Sequence, residues 1–370
     1  MNRIAAACLV LATFIAAAHA TGVTIAVLAP LTGFLALEGA SQRNGAILAL
    51  ATPPPGVTAT YDVSDTGTSP EIAVNALERV AGDAPVAIVA PILGTQMLAM
   101  LPIALDMKVP LLTISGTASI TRQGNPYVFR FFPDDATTKI AQVRYAVEVE
   151  GVKRPAVITQ TTAYGQSGQV EIVKALRRAG VAPVFEEALD VSVKDMAPVL
   201  AKARAAGADS LLVHLHAGPS ALLLKAAAAG NFAFRVVAGS GLSQPSTVDL
   251  LEPSELAGVC AETNASPVSA DTPAMRGFLD AYRAKFHGDP DGFAVAQYDG
   301  TMMALQAVAA GATTPAALTQ ALAHGDYAGL AMTYRSNGRG DMAHTAVIIC
   351  YDGKTRVPKV VARYSNDATE

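Results

Sequence analysis

Short apolar runs rich in β-branched residues alternate along the chain with longer stretches of alanine, leucine and polar residues. The short runs are almost continuously apolar, which is typical of parallel strands buried on both faces. The predicted strands are, in chain order, residues 23–28, 57–63, 86–89, 111–114, 156–159, 184–189, 210–214, 235–238 and 258–262. The predicted helices between them include residues 42–51, 71–81, 96–105, 137–150, 166–179, 196–206 and 220–229. This alternation predicts an α/β fold in which helices cover both faces of parallel sheets.

The alternation is interrupted in the middle of the chain and changes again near its end. Residues 128–135 have the pattern of an extended crossing segment, after which the alternation starts anew, so we place a domain boundary there. Strands are predicted at 332–334, 346–351 and 359–363, and Asp352-Gly353 is a turn signal between the last two. A chain of 370 residues is long enough for two domains of ordinary size.

Residues 1–20 have the pattern of a secretory signal peptide. A basic start at 1–3 precedes the apolar run 4–18, and Ala18-His19-Ala20 places small residues at the two positions that signal peptidase reads. The run is shorter than the roughly 20 residues of a membrane-spanning helix, and the alternative is a buried N-terminal helix. We therefore expect cleavage after Ala20, no lipid anchor and a periplasmic mature protein.

Composition narrows the class of protein. Hydrophobic residues make up 51% and charged residues 16% of the chain, which excludes a disordered protein. The net charge is −4 and no Lys/Arg-rich run occurs, which argues against nucleic acid or an anionic membrane surface as a partner. No later segment has roughly 18 consecutive apolar residues, so we expect no insertion into the membrane. Cys260 and Cys350 are compatible with one disulfide, but sequence does not place them together, and their spacing is not that of a metal site.

Ligands of parallel α/β sheets bind beyond the carboxyl ends of the strands, so the loops after the strands are the candidate site. The strand at 111–114 leads into Ser115-Gly116-Thr117, and the strand before it is followed by Gly94-Thr95-Gln96. Hydroxyl groups beside unpaired backbone N–H groups form a neutral cradle for an anion such as a carboxylate. An ordinary capping turn explains the same residues. The tight turn at 29–33 is either a further part of the site or a plain connecting loop.

Aromatic residues follow the strands of the second half. Tyr164 precedes a predicted helix, where it either stacks on a ligand or packs on the surface. His214 and His216 stand two residues apart at the end of a strand, which suits a metal ion, a general base, a ligand contact or a structural role. Because no Asp, Glu or Cys lies near them in sequence, we predict no metal site. The chain lacks the G-x-S-x-G, H-E-x-x-H and phosphate-loop signatures, so we predict that it is not an enzyme.

Several segments, taken in order, resemble the leucine/isoleucine/valine-binding protein family. The likeness is carried by Val-Leu-Ala-Pro-Leu-Thr-Gly at 27–33, Arg-Asn-Gly-Ala at 43–46, residues 99–104 with 109–113, Ala-Tyr-Gly at 163–165 and Tyr-Asp-Gly at 298–300. It covers residues 21–364. The resemblance implies the type I periplasmic-binding fold, in which two Rossmann-like lobes with parallel sheets are joined by a three-segment hinge. By this resemblance lobe one is 21–131 plus 265–330, and lobe two is 132–264 plus 331–370.

The resemblance also implies a function. Members of this family capture a small molecule in the cleft between the lobes, which close on it by a hinge. They are the periplasmic solute-binding components of ABC importers. We expect a monomer without a cofactor, whose partners are a small-molecule carboxylate and the membrane permease of the importer.

On the family's pattern, Ser, Thr and backbone groups of lobe one hold the ligand carboxylate, and aromatic residues cover the ligand. Three positions depart from this pattern. Gly241 or a neighbour replaces the acid that pairs with the ammonium group of an amino acid, while Ala217 and Glu38 replace tyrosines. The candidate ligand-binding residues are Phe34, Glu38, Gly94, Thr95, Gln96, Ser115, Gly116, Thr117, Tyr164, His216, Ala217 and Gly241.

These departures favour a carboxylate ligand without an α-ammonium group, such as an aromatic or other small organic acid. A buried ammonium needs a charged partner, because desolvating an unpaired ion costs several kcal/mol. Three alternatives stay open. Branched-chain amino acids fit if Glu38 supplies the negative charge, an amide- or urea-type sensor shares the fold, and a hydrolase would use His214 or His216.

Overall fold

The computed structural model describes residues 20–264, 267–268 and 270–365. Its strands are β1 (Thr21–Ala29), β2 (Val57–Thr60), β3 (Val63–Asp65), β4 (Ala87–Val89), β5 (Leu111–Thr113), β6 (Val128–Arg130), β7 (Pro155–Gln160), β8 (Phe185–Leu189), β9 (Ser210–His214), β10 (Arg235–Ala238), β11 (Val259–Thr263), β12 (Asp326–Ala328), β13 (Thr333–Arg335), β14 (Thr345–Cys350) and β15 (Lys359–Ser365). Its helices are α1 (Ala36–Ala51), α2 (Pro70–Ala81), α3 (Gly94–Met107), α4 (Asp135–Arg144), α5 (Ala163–Arg178), α6 (Ala197–Ala205), α7 (Ala217–Ala229), α8 (Pro245–Val248), α9 (Pro273–Phe286), α10 (Gly292–Ala309) and α11 (Pro315–His324).

Polar side chains start several of these helices. Asp134, Thr162 and Asp291 accept hydrogen bonds from backbone N–H groups in the first turns of α4, α5 and α10. Each such cap stabilises a helix by about 1 kcal/mol. The caps at Asp134 and Thr162 make α4 and α5 begin within a few residues of β6 and β7, so both helix starts lie at the carboxyl ends of strands.

The first sheet is parallel throughout, in the order β2-β1-β4-β5-β6, with β3 also paired to β1. The sequence predicts one strand over 57–63, but the structure has two. β2 pairs with the beginning of β1 and β3 with its end, because the chain leaves the sheet between them. The segment 128–135, predicted as an extended crossing, begins as β6, which is paired with β5.

The second sheet has the order β15-β14-β11-β10-β9-β7-β8. β7 to β11 are parallel to one another, while β14 and β15 are antiparallel to their neighbours. Cys260 on β11 and Cys350 on β14 are register partners and form a disulfide. The pairing that the sequence left open is therefore present within lobe two.

The chain passes between the two sheets after β6, between β11 and α9, and between β13 and β14. One predicted lobe boundary differs from the packing. The family resemblance assigns 331–370 to lobe two, but Tyr334, Met342 and Ala343 are buried in the core of the first sheet. The rings of Phe131 and Tyr334 lie 5.7 Å apart there. Hydrophobic burial against lobe one thus holds this segment until β14 begins.

The N-terminal prediction falls mostly outside the described residues, since only Ala20 of residues 1–20 is among them. Cleavage after Ala20 therefore stays a prediction. Within the described ranges, no helix combines the length and the hydropathy that crossing a membrane would need.

Candidate ligand-binding site between the lobes

The loops that follow β1, β4 and β5 in lobe one meet the loops that follow β7, β9 and β10 in lobe two. Between them lies a cavity with about 420 Å³ of space free of atoms, part of which is open to solvent. It lies beyond the carboxyl ends of the parallel strands, as the sequence predicts. The lining residues are Leu35, Glu38, Ile92, Leu93, Gly94, Ile114, Gly116, Phe132, Tyr164, His216, Ser240, Gly241 and Phe293.

The wall that lobe one contributes is mostly apolar. Ile92, Ile114, Phe132 and Phe293 are buried members of its core, and the rings of Phe132 and Phe293 lie 5.3 Å apart. Burial against such a wall contributes about 25 cal/mol per Å² of apolar ligand surface. The wall therefore favours a ligand whose body is a ring or a branched hydrocarbon chain.

Two buried hydroxyl groups lie on the loop after β5, and one of them, that of Thr117, lies beside the start of α3. Ser115 Oγ and Thr117 Oγ1 have no hydrogen-bond partner among the described residues. A Cβ on Gly94, the first residue of α3, would lie 2.0 Å from Thr117 Oγ1, so only glycine permits this close approach. Leu93 at the N-cap has no side-chain acceptor for the N–H groups of the first turn. Hydroxyls and a helix N-terminus together can hold an anion.

Arg130 holds this hydroxyl loop in place without offering its charge to a ligand. Its guanidinium is fully buried and donates hydrogen bonds to the backbone oxygens of Thr117 (2.7 Å) and Ser115 (3.3 Å). It also forms an ion pair with Asp341. The positive charge is thus balanced inside lobe one, and any anion bound at Thr117 rests on neutral donors.

Glu38 projects from the first turn of α1 into the cavity and is only 4% exposed. Its Oε1 accepts a hydrogen bond from the backbone N–H of Ala217, the first residue of α7 in lobe two, at 3.0 Å. Burial raises the pKa of the Glu38 carboxyl from 4.5 to about 7. The side chain therefore connects the lobes across the cavity and brings an acid into the site.

Aromatic rings from both lobes form the opposite wall. Tyr164 stacks on His216 with ring centroids 5.0 Å apart, and Phe34 lies 5.4 Å from His216 on the side of lobe one. His216 Nε2 is 3.2 Å from the Thr162 hydroxyl. Burial lowers the pKa of His216 to about 4, so near neutral pH this imidazole is an uncharged ring that a flat ligand can stack against.

Behind Tyr164 lies a group of buried side chains that we call the polar cluster: Asp135, Lys139, His214 and Glu262. Lys139 and Glu262 form an ion pair, and the Tyr164 and His214 ring centroids are 3.7 Å apart. Asp135 Oδ1 lies 3.6 Å from His214 Nε2. The expectation that His214 has no acidic neighbour holds for the sequence but not for the fold, because α4 brings Asp135 to the end of β9.

Burial determines the charges of the cluster. It raises the pKa of Asp135 to about 8 and lowers that of His214 well below its usual value. Asp135 Oδ2, Glu262 Oε2 and both ring nitrogens of His214 make no well-formed hydrogen bond within the described chain. Across the described residues, no arrangement of His, Cys, Asp and Glu suits a metal ion.

The structure brings most of the predicted site residues together. Six of them line the cavity: Glu38, Gly94, Gly116, Tyr164, His216 and Gly241. Phe34 is 39% exposed. The backbone N–H of Ala217 donates a hydrogen bond to the lining residue Glu38. The cavity lining does not include Thr95, Gln96, Ser115 or Thr117. Thr117 Oγ1 nevertheless lies against the lining residue Gly94, and Ser115 stands between the lining residues Ile114 and Gly116 in the chain.

Two predicted residues, Gln96 outside the lining and Gly241 within it, are fixed by the packing of the protein. The Gln96 side-chain amide donates to the backbone oxygens of Thr66 (2.7 Å) and Ser69 (3.1 Å), which ties α3 to the loop before α2. A Cβ on Gly241 would lie 2.4 Å from the backbone oxygen of Leu215. Gly241 is therefore small because the neighbouring loop packs against it, not simply to enlarge the space for a ligand.

Sequence reasoning missed the apolar lining and the polar cluster. Ile114 ends the predicted strand 111–114, and Ile92 stands three residues after the predicted strand 86–89. Their position at strand ends is the signal that locates them. Phe132 and Asp135 lie in the crossing segment, and Phe293 comes from α10, far along the chain. No local pattern brings Lys139 to Glu262, since they are far apart in sequence and meet only when α4 packs on β11.

The chain belongs to the periplasmic binding protein family, whose profile matches residues 22–354. Members of this family are substrate-binding proteins of ABC transporters and not enzymes, they act in the periplasm, and they bind small molecules for a membrane permease. The expected family, fold class and non-enzymatic role are thereby confirmed.

The individual relatives share only a low sequence identity with this chain. The leucine-, isoleucine-, valine-, threonine- and alanine-binding protein of Pseudomonas aeruginosa is 25% identical, over 81% of this chain and 82% of that protein. The leucine-binding protein of Thermotoga maritima has a TM-score of 0.85 at 22% identity, covering 93% and 99% of the two chains. A solute-binding protein of Rhodopseudomonas palustris, solved with 3,4-dihydroxybenzoic acid, has a TM-score of 0.82 at 21% identity, covering 93% and 97%.

Proposed function

We propose that this substrate-binding protein captures a small organic acid with a flat or branched apolar body and delivers it to the permease of an ABC importer. The observation that carries the proposal is the buried, unpartnered hydroxyl of Thr117 beside the start of α3, with the unpartnered hydroxyl of Ser115 on the same loop of the described structure. A carboxylate would replace the missing partners of these hydroxyls. The adjoining wall of Ile92, Ile114 and Phe132 would bury the rest of the ligand.

Orientation follows from the two walls. With its carboxylate at Thr117, the ligand body would lie between the apolar wall of lobe one and the rings of Tyr164 and His216 from lobe two. Both rings are uncharged near neutral pH, because burial raises the pKa of Tyr164 and lowers that of His216. Such a slot suits an aromatic or other flat acid, and one of the structurally similar proteins was solved with an aromatic acid.

A branched-chain amino acid is the second candidate, and Glu38 is the observation that favours it. The loop after β10 has no acid, but Glu38 brings a buried carboxyl into the same cavity. An ammonium group beside it would favour the ionised form and offset the cost of burying the charge. Relatives named for binding leucine, isoleucine and valine are consistent with this alternative.

A thermal-shift screen of the purified mature protein would separate the two candidates. We expect stabilisation by aromatic or branched organic acids without an amino group, followed by calorimetric titration of those that bind. Glu38→Gln should retain this binding, since the acid makes no required contact with a carboxylate ligand. Stabilisation by leucine or valine alone, abolished in Glu38→Gln, would contradict the proposal and support the amino-acid candidate. Exposed Glu78 on α2 supplies a matched control, Glu78→Gln.

A further inference from the structure

The ligand cavity contains an acid but no lysine or arginine. Among the described residues that line it, Glu38 supplies the carboxyl, and none carries an ammonium or a guanidinium group. Two buried cations lie deeper in the lobes, and each is already paired, Arg130 with Asp341 and Lys139 with Glu262. A carboxylate that enters the cavity therefore shares it with Glu38 without meeting a positive charge on the lining.

Glu38 acts as a helix cap from the opposite lobe. His216, the N-cap residue of α7, makes no side-chain hydrogen bond to the first turn of its own helix. The N–H of Ala217 donates instead to Oε1 of Glu38 at 3.0 Å, across the cavity. Part of the burial that leaves Glu38 4% exposed thus comes from lobe two, and this part is lost when the lobes separate.

The surroundings of Glu38 favour its neutral form while the lobes are together. Burial is the largest effect and raises the pKa of this carboxyl to about 7, and the negative charge of Asp291 at the start of α10 acts in the same direction. Tyr164 of α5 and His216 of the loop after β9 are uncharged near neutral pH, because burial raises the pKa of Tyr164 and lowers that of His216. Neither ring therefore offers a charge that would hold Glu38 ionised.

Building on the proposed function, we infer that Glu38 is a proton-binding site of the cavity, so that each organic anion is captured together with one proton. Closure of the lobes removes water from Glu38, and the anion adds a negative charge to the same cavity. Both effects favour the neutral carboxyl. The proton comes from solvent and is carried on Oε2, since Oε1 accepts the hydrogen bond from Ala217. Proton and anion together are neutral, so the closed cavity needs no buried cation.

Affinity should then depend on pH in one direction. Water reaches Glu38 when the lobes are apart, so its pKa returns towards the ordinary 4.5, whereas in the closed cavity it is about 7 and a bound anion raises it further. Between these values a proton is taken up on binding. Raising the pH from about 6 to 8 should therefore weaken binding, by up to about 10-fold for each pH unit. The carboxyl of the ligand is itself ionised throughout this range.

Calorimetric titration in two buffers counts the protons. Benzoate, phenylacetate and 4-methylpentanoate are the probes, and each is titrated near neutral pH in PIPES and in imidazole, which differ in their heat of ionisation. The change of binding heat with buffer should show uptake of about one proton per bound acid. Glu38→Gln, which is nearly isosteric, should show no uptake and a Kd that is independent of pH. Exposed Glu78 supplies the control, since Glu78→Gln should behave like the wild type.

Each other outcome overturns a defined part. Binding of an acid without proton uptake would disprove the proton site and leave the organic-acid function intact. Uptake that persists in Glu38→Gln would place the proton on another buried acid, such as Asp135. If none of the acids binds while leucine or valine does, the proposed function is wrong and the proton site falls with it, because an ammonium would keep Glu38 ionised. Circular dichroism checks the folding of Glu38→Gln, and the proton count on the wild type needs no variant.

Discussion

Oε1 of Glu38 in α1 accepts a hydrogen bond from the backbone N–H of Ala217 at the start of α7, with 3.0 Å between the two atoms. The bond joins lobe one to lobe two across the ligand cavity. It places a carboxyl at a helix N-terminus, where the partial positive charge of the helix favours it. Burial works in the opposite direction and is the larger effect, because the pKa of Glu38 is raised overall.

Glu38 should therefore make stability depend on pH. Its pKa in the folded protein, about 7, lies above the ordinary 4.5, so its contribution is fully present below pH 4.5 and is lost as pH rises to 7. The loss amounts to about 3 kcal/mol. Glu38→Gln removes this titration. In urea unfolding of the closed, ligand-saturated protein at several pH values, the variant should gain on the wild type by up to that amount between acidic and neutral pH. Parallel curves would show that Glu38 stays hydrated in the closed protein.

Thr117 should contribute to anion binding. Its hydroxyl is buried beside the start of α3, and a hydrogen bond to a charged group is worth about 1.5–3 kcal/mol. With an acid found in the screen, Thr117→Ala should weaken binding by about 10- to 150-fold in calorimetry. Thr117→Ser keeps the hydroxyl and should be much milder. Equal affinities of Thr117→Ala and wild type would mean that the carboxylate lies elsewhere.

Ligand binding should make the molecule more compact. Besides Glu38, the lobes are connected by the Ala118 N–H donating to Ser167 Oγ (2.9 Å) and by Arg122 donating to Glu171 (3.0 Å). We expect the free protein to open at these contacts and the ligand to close them. Small-angle scattering should give a smaller radius of gyration with a verified ligand. An unchanged profile would argue against hinge closure.

The Cys260–Cys350 disulfide should stabilise lobe two. It connects residues 90 positions apart in the chain, and loss of such a bridge typically lowers the free energy of unfolding by about 2–5 kcal/mol. The double variant Cys260→Ala, Cys350→Ala should unfold at correspondingly lower urea. Thiol titration of the denatured, unreduced mature protein checks the pairing, because free thiols there would contradict it.

The buried ion pair of Arg130 and Asp341 should matter far more than a surface pair. Asp341→Asn leaves the fully buried guanidinium without its nearest carboxylate, which costs about 3–5 kcal/mol. The pair of Lys202 and Glu187, whose side chains are 58% and 27% exposed, provides the comparison, since Glu187→Gln should cost about 1 kcal/mol or less. Equal effects in urea unfolding would show that Arg130 finds another partner, such as Asp134 at 3.8 Å.

The fold could be predicted from sequence where the signal is local. β9 and β10 lie at the predicted residues, because a short, continuous apolar run between turn residues is typical of a buried strand. The resemblance places 331–370 in lobe two, but Tyr334 packs in the core of lobe one, since a short stretch of sequence does not show which core will bury it. Gln96 and Gly94 stand in the same loop region after a strand, so the sequence predicts both as ligand-binding residues. Only the three-dimensional structure shows that the side chain of Gln96 is hydrogen-bonded to the loop before α2.

The charges of the site were the hardest part to predict. The loop after β10 lacks an acid, as its sequence indicates, yet Glu38 and Asp135 reach the same region from α1 and α4. Whether a carboxyl faces a cavity depends on helix rotation and on contacts between distant elements. A binding preference inferred from one missing acid is therefore weaker than one inferred from the assembled cavity, which is why the ligand screen includes amino acids.

The position of the disulfide has a mechanical consequence for the hinge. β11 leads out of lobe two into one connection, and β14 enters lobe two from another; their ends are paired at Thr263 and Val347, three residues from the bridged cysteines. Because the disulfide and the strand pairing both hold β11 against β14, the points where these two connections leave lobe two keep a fixed separation. When the lobes rotate relative to each other, the two attachment points therefore move with lobe two as one unit.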